Sequence, residues 1–311
     1  MSNSLVSVVI PTYYRNDRLR EAIKSAQSQT YNPVEIIVVD GSEEERNAES
    51  VAKEMGVEYI CPKEDRGAHA ARSLGAKKAK GEYVNFLDDD DRLVPVKIEK
   101  QVPVAEESNE VGVVYSGIQW ENDHPVLPDP DVSGDVLKYA LMFQMTPSSP
   151  STMLIDADVL EDILPFENLH GADDMGMKIE LAKRSYFEFV DDPLVRKGHS
   201  EESLGGSEEN IDGRLKLLEQ YAQLYKQFPD SVRRTALAHT YLLDAELTLN
   251  NQVMSLHAIQ RAMQACYVVP GWPLSFVGFL FASLFGRPGR DLGKVVYSQL
   301  VLGDKHRGKL T

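Results

Sequence analysis

At 311 residues, with 42% hydrophobic and 8% aromatic side chains, the chain suits one large α/β domain with an appendage, or two modest domains, and is too apolar for global disorder. A formal charge of −15 excludes a general nucleic-acid binder, which needs clustered Lys and Arg along phosphates, so a phosphorylated ligand must meet a local cation. Cys61 and Cys266 stand outside any CxxC pattern, and "MSNSLVSVVIP" lacks the charged start and long apolar run of a secretory signal, so the expected setting is a reducing cytoplasm.

The first half alternates strand and helix signals. "LVSVVIPTY" is rich in β-branched residues and should end at Pro11; "DRLREAIKSAQSQ" places Leu19, Ile23 and Ala26 at helical spacing; "VEIIVVDGS" is an apolar strand closed by turn residues. "ESVAKEMG" reads as a helix closed by Gly56, "VEYICP" as a short strand, "GAHAARSLGAKKAKG" as a helix closed by Gly81, and "EYVNFL" as another strand. Such alternation predicts a parallel sheet flanked by helices. Ligands of open sheets sit beyond the carboxyl ends of the strands, where "PTYYR", "DGS" and "DDDD" all fall.

From Asn109 to Arg196 the signals mix. "VGVVYSGIQW", "STMLI" and "YFEFVDDPLV" read as strands and "DDMGMKIELAKRS" as a helix with Met177 and Leu181 inward, which predicts an antiparallel admixture. After "GHSEESLGGSEEN", which reads as a mobile loop, the chain turns to amphipathic helices, so 1–205 is expected to be the α/β domain and 206–311 a helical appendage. Its helix pairs resemble a single tetratricopeptide-like unit. "WPLSFVGFLFASLF" is too short to span a bilayer; with the following "GRPGR", its aromatics and basic residues allow either a buried helix or peripheral membrane contact through 272–290.

No Gly-rich phosphate loop follows the first strand, so a nucleotide would be held by other means, with Thr12, Tyr13 and Arg15 at the strand's mouth. Asp40 either accepts a base N–H or caps the next helix. Asp88 to Asp91 repel one another; an acidic loop and a helix cap are the plain readings, Asp91 suiting the cap, while Mg or Mn bridging to a diphosphate would cancel the repulsion. The Arg72 fork suits a phosphate, or is a surface Arg.

"VSVVIPTYYR", "VEIIVVDGS", "GAHAARSLGAKKAKGEYVNFLDDDD" and "GADDMGMKIELAKR" resemble, in order and spacing, the inverting GT-A glycosyltransferases of the large family two, over roughly residues 5 to 200. The resemblance implies a Rossmann-like nucleotide-diphospho-sugar transferase fold with a mixed central sheet and a divalent cation, Mn or Mg. It places Pro11, Thr12, Tyr13 and Asp40 around the nucleoside and Arg72 in the family's "AR-N-x-G" stretch, where Ser73 replaces the usual Asn. Asp88 and Asp90 match the D-x-D, with Asp88 or Asp89 near the ribose and Asp90 on the metal and diphosphate. Asp173 and Asp174 match the acidic pair that supplies the base, Asp174 being the choice here, and His199 matches a position that adds a metal or phosphate contact.

The implied reaction is one displacement from a nucleotide-diphospho-sugar to the hydroxyl of a glycan or lipid-linked glycan, in the cytoplasm or at its membrane face. A nucleotidyltransferase and an inactive sheet serving as a binding scaffold are the alternatives.

Overall fold

The computed structural model describes residues 3–42, 48–62, 67–120, 124–169, 171–198, 207–269 and 274–297. His199 and the loop expected after it lie outside the described residues as far as residue 206.

The chain divides into two compact units: residues 1–140, 144–168 and 173–203 form the first, and residues 141–143, 169–172 and 204–311 the second. The first unit holds, in chain order, β1 (Val6–Thr12), α1 (Asn16–Gln27), β2 (Val34–Asp40), α2 (Glu49–Met55), β3 (Glu58–Ile60), α3 (Ala68–Lys78), β4 (Tyr83–Phe86), β5 (Arg92–Leu93), α4 (Lys97–Ala105) and β6 (Val111–Trp120). α5 (Leu137–Leu141), β7 (Leu154–Asp156), α6 (Ala157–Glu161), α7 (Asp173–Ala182) and β8 (Tyr186–Lys197) follow.

The eight strands form one sheet in the order β3-β2-β1-β4-β7-β6-β8-β5. β1 runs parallel to β2 and β4, and β2 to β3; β7 is antiparallel to both neighbours, β5 is antiparallel to β8, and β6 and β8 are parallel. The near-continuous apolar runs of β1 and β2 follow from covering on both sides, with Val8, Val9, Ile10, Ile37, Val38 and Val39 fully buried. Leu19, Ile23 and Ala26 of α1 pack into the same core.

Two punctuation signals act differently from expectation. β1 continues through Pro11 to Thr12, because pairing with β4 stops at Val9 and Pro11 needs no donor on that side. Gly81 does not close α3, which ends at Lys78; a Cβ there would stand 2.7 Å from Leu5 O and Ser7 N, so glycine is required by the close approach of β1. Gly56 does close α2, in the left-handed conformation.

The second unit is built of α8 (Glu208–Gln220), α9 (Ala222–Tyr225), α10 (Asp230–Asn251), α11 (Leu256–Val268), α12 (Leu274–Leu284) and α13 (Gly286–Tyr297). Its small core joins Ala238, Ala265, Cys266 and Phe276, with Ala245, Leu249 and Ala258 as a second cluster. Among the described residues no helix is long and apolar enough to cross a membrane. In the 272–290 stretch Phe276 is buried, whereas Phe281 and Phe285 are exposed. The basic residues behind them turn inward: Arg287 Nε donates to Leu249 O at 2.9 Å, and Arg290 is buried beside Asn250 and Asp291.

Candidate active site

The carboxyl ends of β1 and β4 bring the acidic run against three cations. β4 ends at Phe86, and the turn beyond it carries Asp88 to Asp91. Arg72 of α3 gives Nη2 to Asp88 Oδ1 at 2.7 Å; its Nε, also buried, has no hydrogen-bond partner. Arg15, at the mouth of β1, gives Nη1 to Asp89 Oδ1 at 3.2 Å and stands 3.7 Å from Asp90 Oδ2. Lys197, at the end of β8, lies 2.5 Å from Asp91 Oδ2 and 3.8 Å from Asp88 Oδ2. Four carboxylates facing three cations leave a formal charge of −1, so the protein itself offsets most of the repulsion that the sequence raised.

The electrostatics follow from burial and these pairs. Burial alone would raise the Asp88 carboxyl, but Arg72 and then Lys197 outweigh it and hold it below the usual carboxylate range. Burial raises Asp89 against the hydrogen bond from Thr12 and the charge of Arg15, and raises Asp91 against Lys197. Burial would lower Lys197, yet Asp88 and then Asp91 keep it above its ordinary value.

Asp91 was expected to cap the following helix and does not. It is 1% exposed, accepts from Ser151 Oγ and Lys197 Nζ at 2.5 Å and from Gly198 N at 3.3 Å, while α4 starts only at Lys97. The reason is burial: a carboxylate in the interior takes the nearest strong donors. Gly198 matters for the same contact, since a Cβ there would overlap the Asp90 carbonyl.

At the β1 end, Thr12 Oγ1 donates to Asp89 Oδ2 at 2.8 Å, Pro11 is buried, and Tyr13 is 51% exposed with its ring 4.3 Å from that of Tyr14. Tyr14 sits at φ 54, a rare conformation for a bulky residue, and its N–H donates to Ser42 Oγ at 2.7 Å. Asp40 is fully buried: Oδ1 accepts from Ser42 N at 2.8 Å, and Oδ2 from Ala48 N at 2.5 Å and Tyr59 Oη at 3.0 Å. These bonds tie the end of β2 to Ser42, to Ala48 just before α2 and to Tyr59 of β3. Ser73, in place of the usual Asn, donates to His69 O and accepts from Phe166 N at 2.9 Å.

Asp173 and Asp174 open α7. Lys178, one turn on and 8% exposed, gives Nζ to Asp174 Oδ2 at 3.1 Å and to Ser148 O at 3.0 Å. Three residues along, Ser151 Oγ accepts from Asp88 N at 3.1 Å and donates to Asp91. Lys197, Lys178, Ser148 and Ser151 were not anticipated; a Lys four residues after Asp174 and a cation ending "LVRK" were the available signals.

Among the described residues no three His, Cys, Asp or Glu side chains converge as a ready cage. Asp88 and Asp90 are hard oxygen donors on one turn and fit Mg or Mn once diphosphate oxygens complete the set. A hollow of about 370 Å³ lined by Gln29, Tyr31, Glu35 and Val57 lies at the opposite, amino-terminal ends of β2 and β3 and holds none of these groups.

A mixed sheet of this order, with carboxylates and cations gathered beyond its parallel strands, has the GT-A architecture. Residues 7–164, about half of the chain, match the model for glycosyl transferase family 2, and the chain belongs to that family and is a glycosyltransferase. It is 29% identical over 299 residues to an uncharacterized glycosyltransferase of Rickettsia prowazekii, covering 90% of this chain and 91% of the other. It is 33% identical to the Escherichia coli UDP-Glc:alpha-D-GlcNAc-diphosphoundecaprenol beta-1,3-glucosyltransferase WfaP, over 51% of this chain and 63% of that protein. Against four further Rickettsia relatives it spans only 20% to 36% of their length.

Solved structures share the fold at low identity. Staphylococcus aureus TarS 1–349 superimposes with a TM-score of 0.61 at 16% identity, over 96% of this chain and 91% of that one. The mannosyltransferase PcManGT of Pyrobaculum calidifontis, in complex with GDP-Man and Mn2+, gives 0.58 at 18%, over 93% and 83%. The family match favours sugar transfer over the nucleotidyltransferase and scaffold alternatives.

Proposed function

We propose that the chain is an inverting transferase that moves a sugar from a nucleoside diphosphate to a hydroxyl of a lipid-linked glycan, with Asp174 as the base. One observation carries this reading. The segment from Ser148 to Ser151 touches both halves of the site: Ser151 holds Asp88 and Asp91, and the Ser148 carbonyl holds Lys178, whose other partner is Asp174.

In this mechanism Asp174 takes the acceptor proton as the oxygen attacks the anomeric carbon. The bond to the diphosphate breaks on the opposite face, and the configuration inverts. A helix N-terminus favours the anionic form of a carboxylate, the form a base must have. Arg72 and Lys197 meet the charge arriving on the diphosphate, and Arg72 has donors left after its bond to Asp88. Asp88 and Asp90 would hold Mg or Mn, which when bound supplies further charge stabilisation to the leaving group. Pro11, Thr12 and Tyr13 line the nucleoside end, and Asp89 fixes Thr12 and Arg15 there.

The relatives support the ligand classes. WfaP is named for UDP-Glc and a diphosphoundecaprenol-linked acceptor, TarS has been solved with UDP-GlcNAc, and PcManGT with GDP-Man and Mn2+. A lipid-linked acceptor brings the enzyme to a membrane face, where exposed Phe281, Leu284 and Phe285 supply apolar contact; with Arg287 and Arg290 turned inward, that contact is weakly dependent on anionic lipid.

The test is transfer from UDP-Glc, UDP-GlcNAc or GDP-Man to undecaprenyl-diphosphate-linked GlcNAc with Mn present, the product's anomeric configuration being read by proton NMR. The reading expects inversion with one of these donors; a retained configuration sinks the single displacement.

A further inference from the structure

The segment that carries Ser151 is held by two fully buried amides, one from β4 and one from α4. β4 pairs with β7 at Tyr83 and Val84. Next along the strand the side chain of Asn85 continues the tie: Nδ2 donates to Met153 O at 2.6 Å and to Ser151 O at 3.2 Å, and lies 3.4 Å from Pro150 O. Gln101 of α4 gives Nε2 to Thr152 O and to Val114 O of β6, both at 2.8 Å, while its Oε1 accepts from Lys97 Nζ at 2.6 Å. The carbonyls of Ser151, Thr152 and Met153, which precede β7 and lie outside the sheet ladder, are thus each met by a side chain.

Such a network opposes folding unless it secures something. Asn85, Lys97 and Gln101 are all 0% exposed, in a fully buried strand and on the inner side of a helix, where apolar residues would serve packing alone. Asn85 Oδ1 has no hydrogen-bond partner, and Lys97, which meets no carboxylate among the described residues, is pushed by burial down to about 7. What the amides secure is Ser151, whose Oγ accepts from Asp88 N at 3.1 Å and donates to Asp91 Oδ2 at 2.5 Å. Asn85 also stands three positions before Asp88 on the strand that leads into the acidic turn, so one residue ties both partners of that contact.

We propose that Asn85 and Gln101 are positioning residues for the transfer reaction: by holding the carbonyls of Ser151, Thr152 and Met153 they set the Ser151 hydroxyl between Asp88 and Asp91 and so aim the Asp88 carboxylate. The proposal rests on Asp88 as a ligand of the divalent cation. Groups that orient a metal's ligands cost about 10- to 100-fold in metal affinity or activity when they are removed. Asn85 acts on Ser151 itself and Gln101 on its neighbour. Lys97 fixes which way the Gln101 amide is turned, because an ammonium only donates and must face Oε1, which leaves the N–H groups to the carbonyls.

The experiment compares Asn85→Leu, Gln101→Met and Gln101→Glu with Val102→Ala, a packing change at a buried position of the same helix, all in the full chain. Hydrogen exchange is followed over residues 87–92 in the metal-free protein, and turnover, as release of nucleoside diphosphate from UDP-Glc, UDP-GlcNAc and GDP-Man, is read against Mn concentration. Asn85→Leu and Gln101→Met should speed exchange of the Asp88 amide about 10-fold, raise the Mn needed for half-maximal rate about 10-fold and lower kcat about 10- to 100-fold. Gln101→Glu gives Lys97 a counter-ion at nearly the same volume but removes both N–H donors, so it should lose as much as Gln101→Met. Wild-type rate and exchange in Gln101→Glu would make Gln101 a partner for Lys97 alone and overturn its role, a result that stands even if Asn85→Leu fails to fold. Val102→Ala should melt earlier yet leave the Asp88 amide and the Mn requirement unchanged; an equal shift there, or an unaltered Asp88 amide in Asn85→Leu, overturns the proposal. If the wild-type chain turns over equally without Mn, the metal reading fails, while exchange of the Asp88 amide still decides whether Asn85 and Gln101 set this turn.

Discussion

Arg72 and Asp88 form an ion pair, Nη2 to Oδ1 at 2.7 Å, that ties the middle of α3 to the turn after β4. The remaining donors of the same guanidinium suit a diphosphate, so Arg72 serves the fold with one N–H and the leaving group with others. Arg72→Ala should lower kcat/KM by about 100-fold, since one donor to a developing charge contributes about that much. Affinity for UDP or GDP should fall with it while affinity for the bare nucleoside stays, as isothermal titration would read.

Asp91 is buried and its partner Lys197 half-buried, and removing the lysine leaves the carboxylate uncompensated. Lys197→Met should destabilise the first unit by about 3 kcal/mol in urea unfolding. Adding Asp91→Asn should return a large part of that loss, a coupling that a double-mutant cycle reads directly.

Burial, and then the charge of Arg214, hold His239 down to about 4. The unfolded chain binds this proton below its ordinary value of about 6.5, the folded chain only near 4. Its contribution is therefore complete above pH 6.5 and is lost as pH falls towards 4, by about 2 to 3 kcal/mol. Urea midpoints from pH 7 to pH 4 should show the loss, and His239→Phe, which keeps a ring against Phe276, should flatten the curve.

Chelation tests the cation. With Asp88 and Asp90 as its protein ligands, EDTA should abolish transfer and weaken nucleoside-diphosphate binding, and Mn should restore both. Asp90→Asn should need more Mn for half-maximal rate, whereas unchanged binding and turnover after chelation would remove the metal from the reaction.

The parallel half of the fold was legible because it is local. Apolar runs such as "VEIIVVD" and the spacing of Leu19, Ile23 and Ala26 carry their own period, and turn residues mark where the strands stop. The positions at strand ends were legible for the same reason: Thr12 closes β1 and Asp88 follows β4, while Asp173 and Asp174 open a helix. The site's cations were not all so: Lys197 meets Asp91 across 106 positions, and a cation ending "LVRK" shows a charge there but not its partner. Asp91 looked like a cap because four adjacent Asp read as solvent-facing, whereas the turn buries the last of them. Gly81 looked like a helix stop, but its reason is a neighbouring strand seventy-odd positions away.

The most direct measurement on the central claim is Asp174→Asn, which keeps shape and removes basicity. Transfer should fall by at least about 1,000-fold while the dissociation constant for the nucleoside diphosphate stays within about two-fold. A variant that keeps a tenth or more of wild-type turnover would contradict Asp174 as the base.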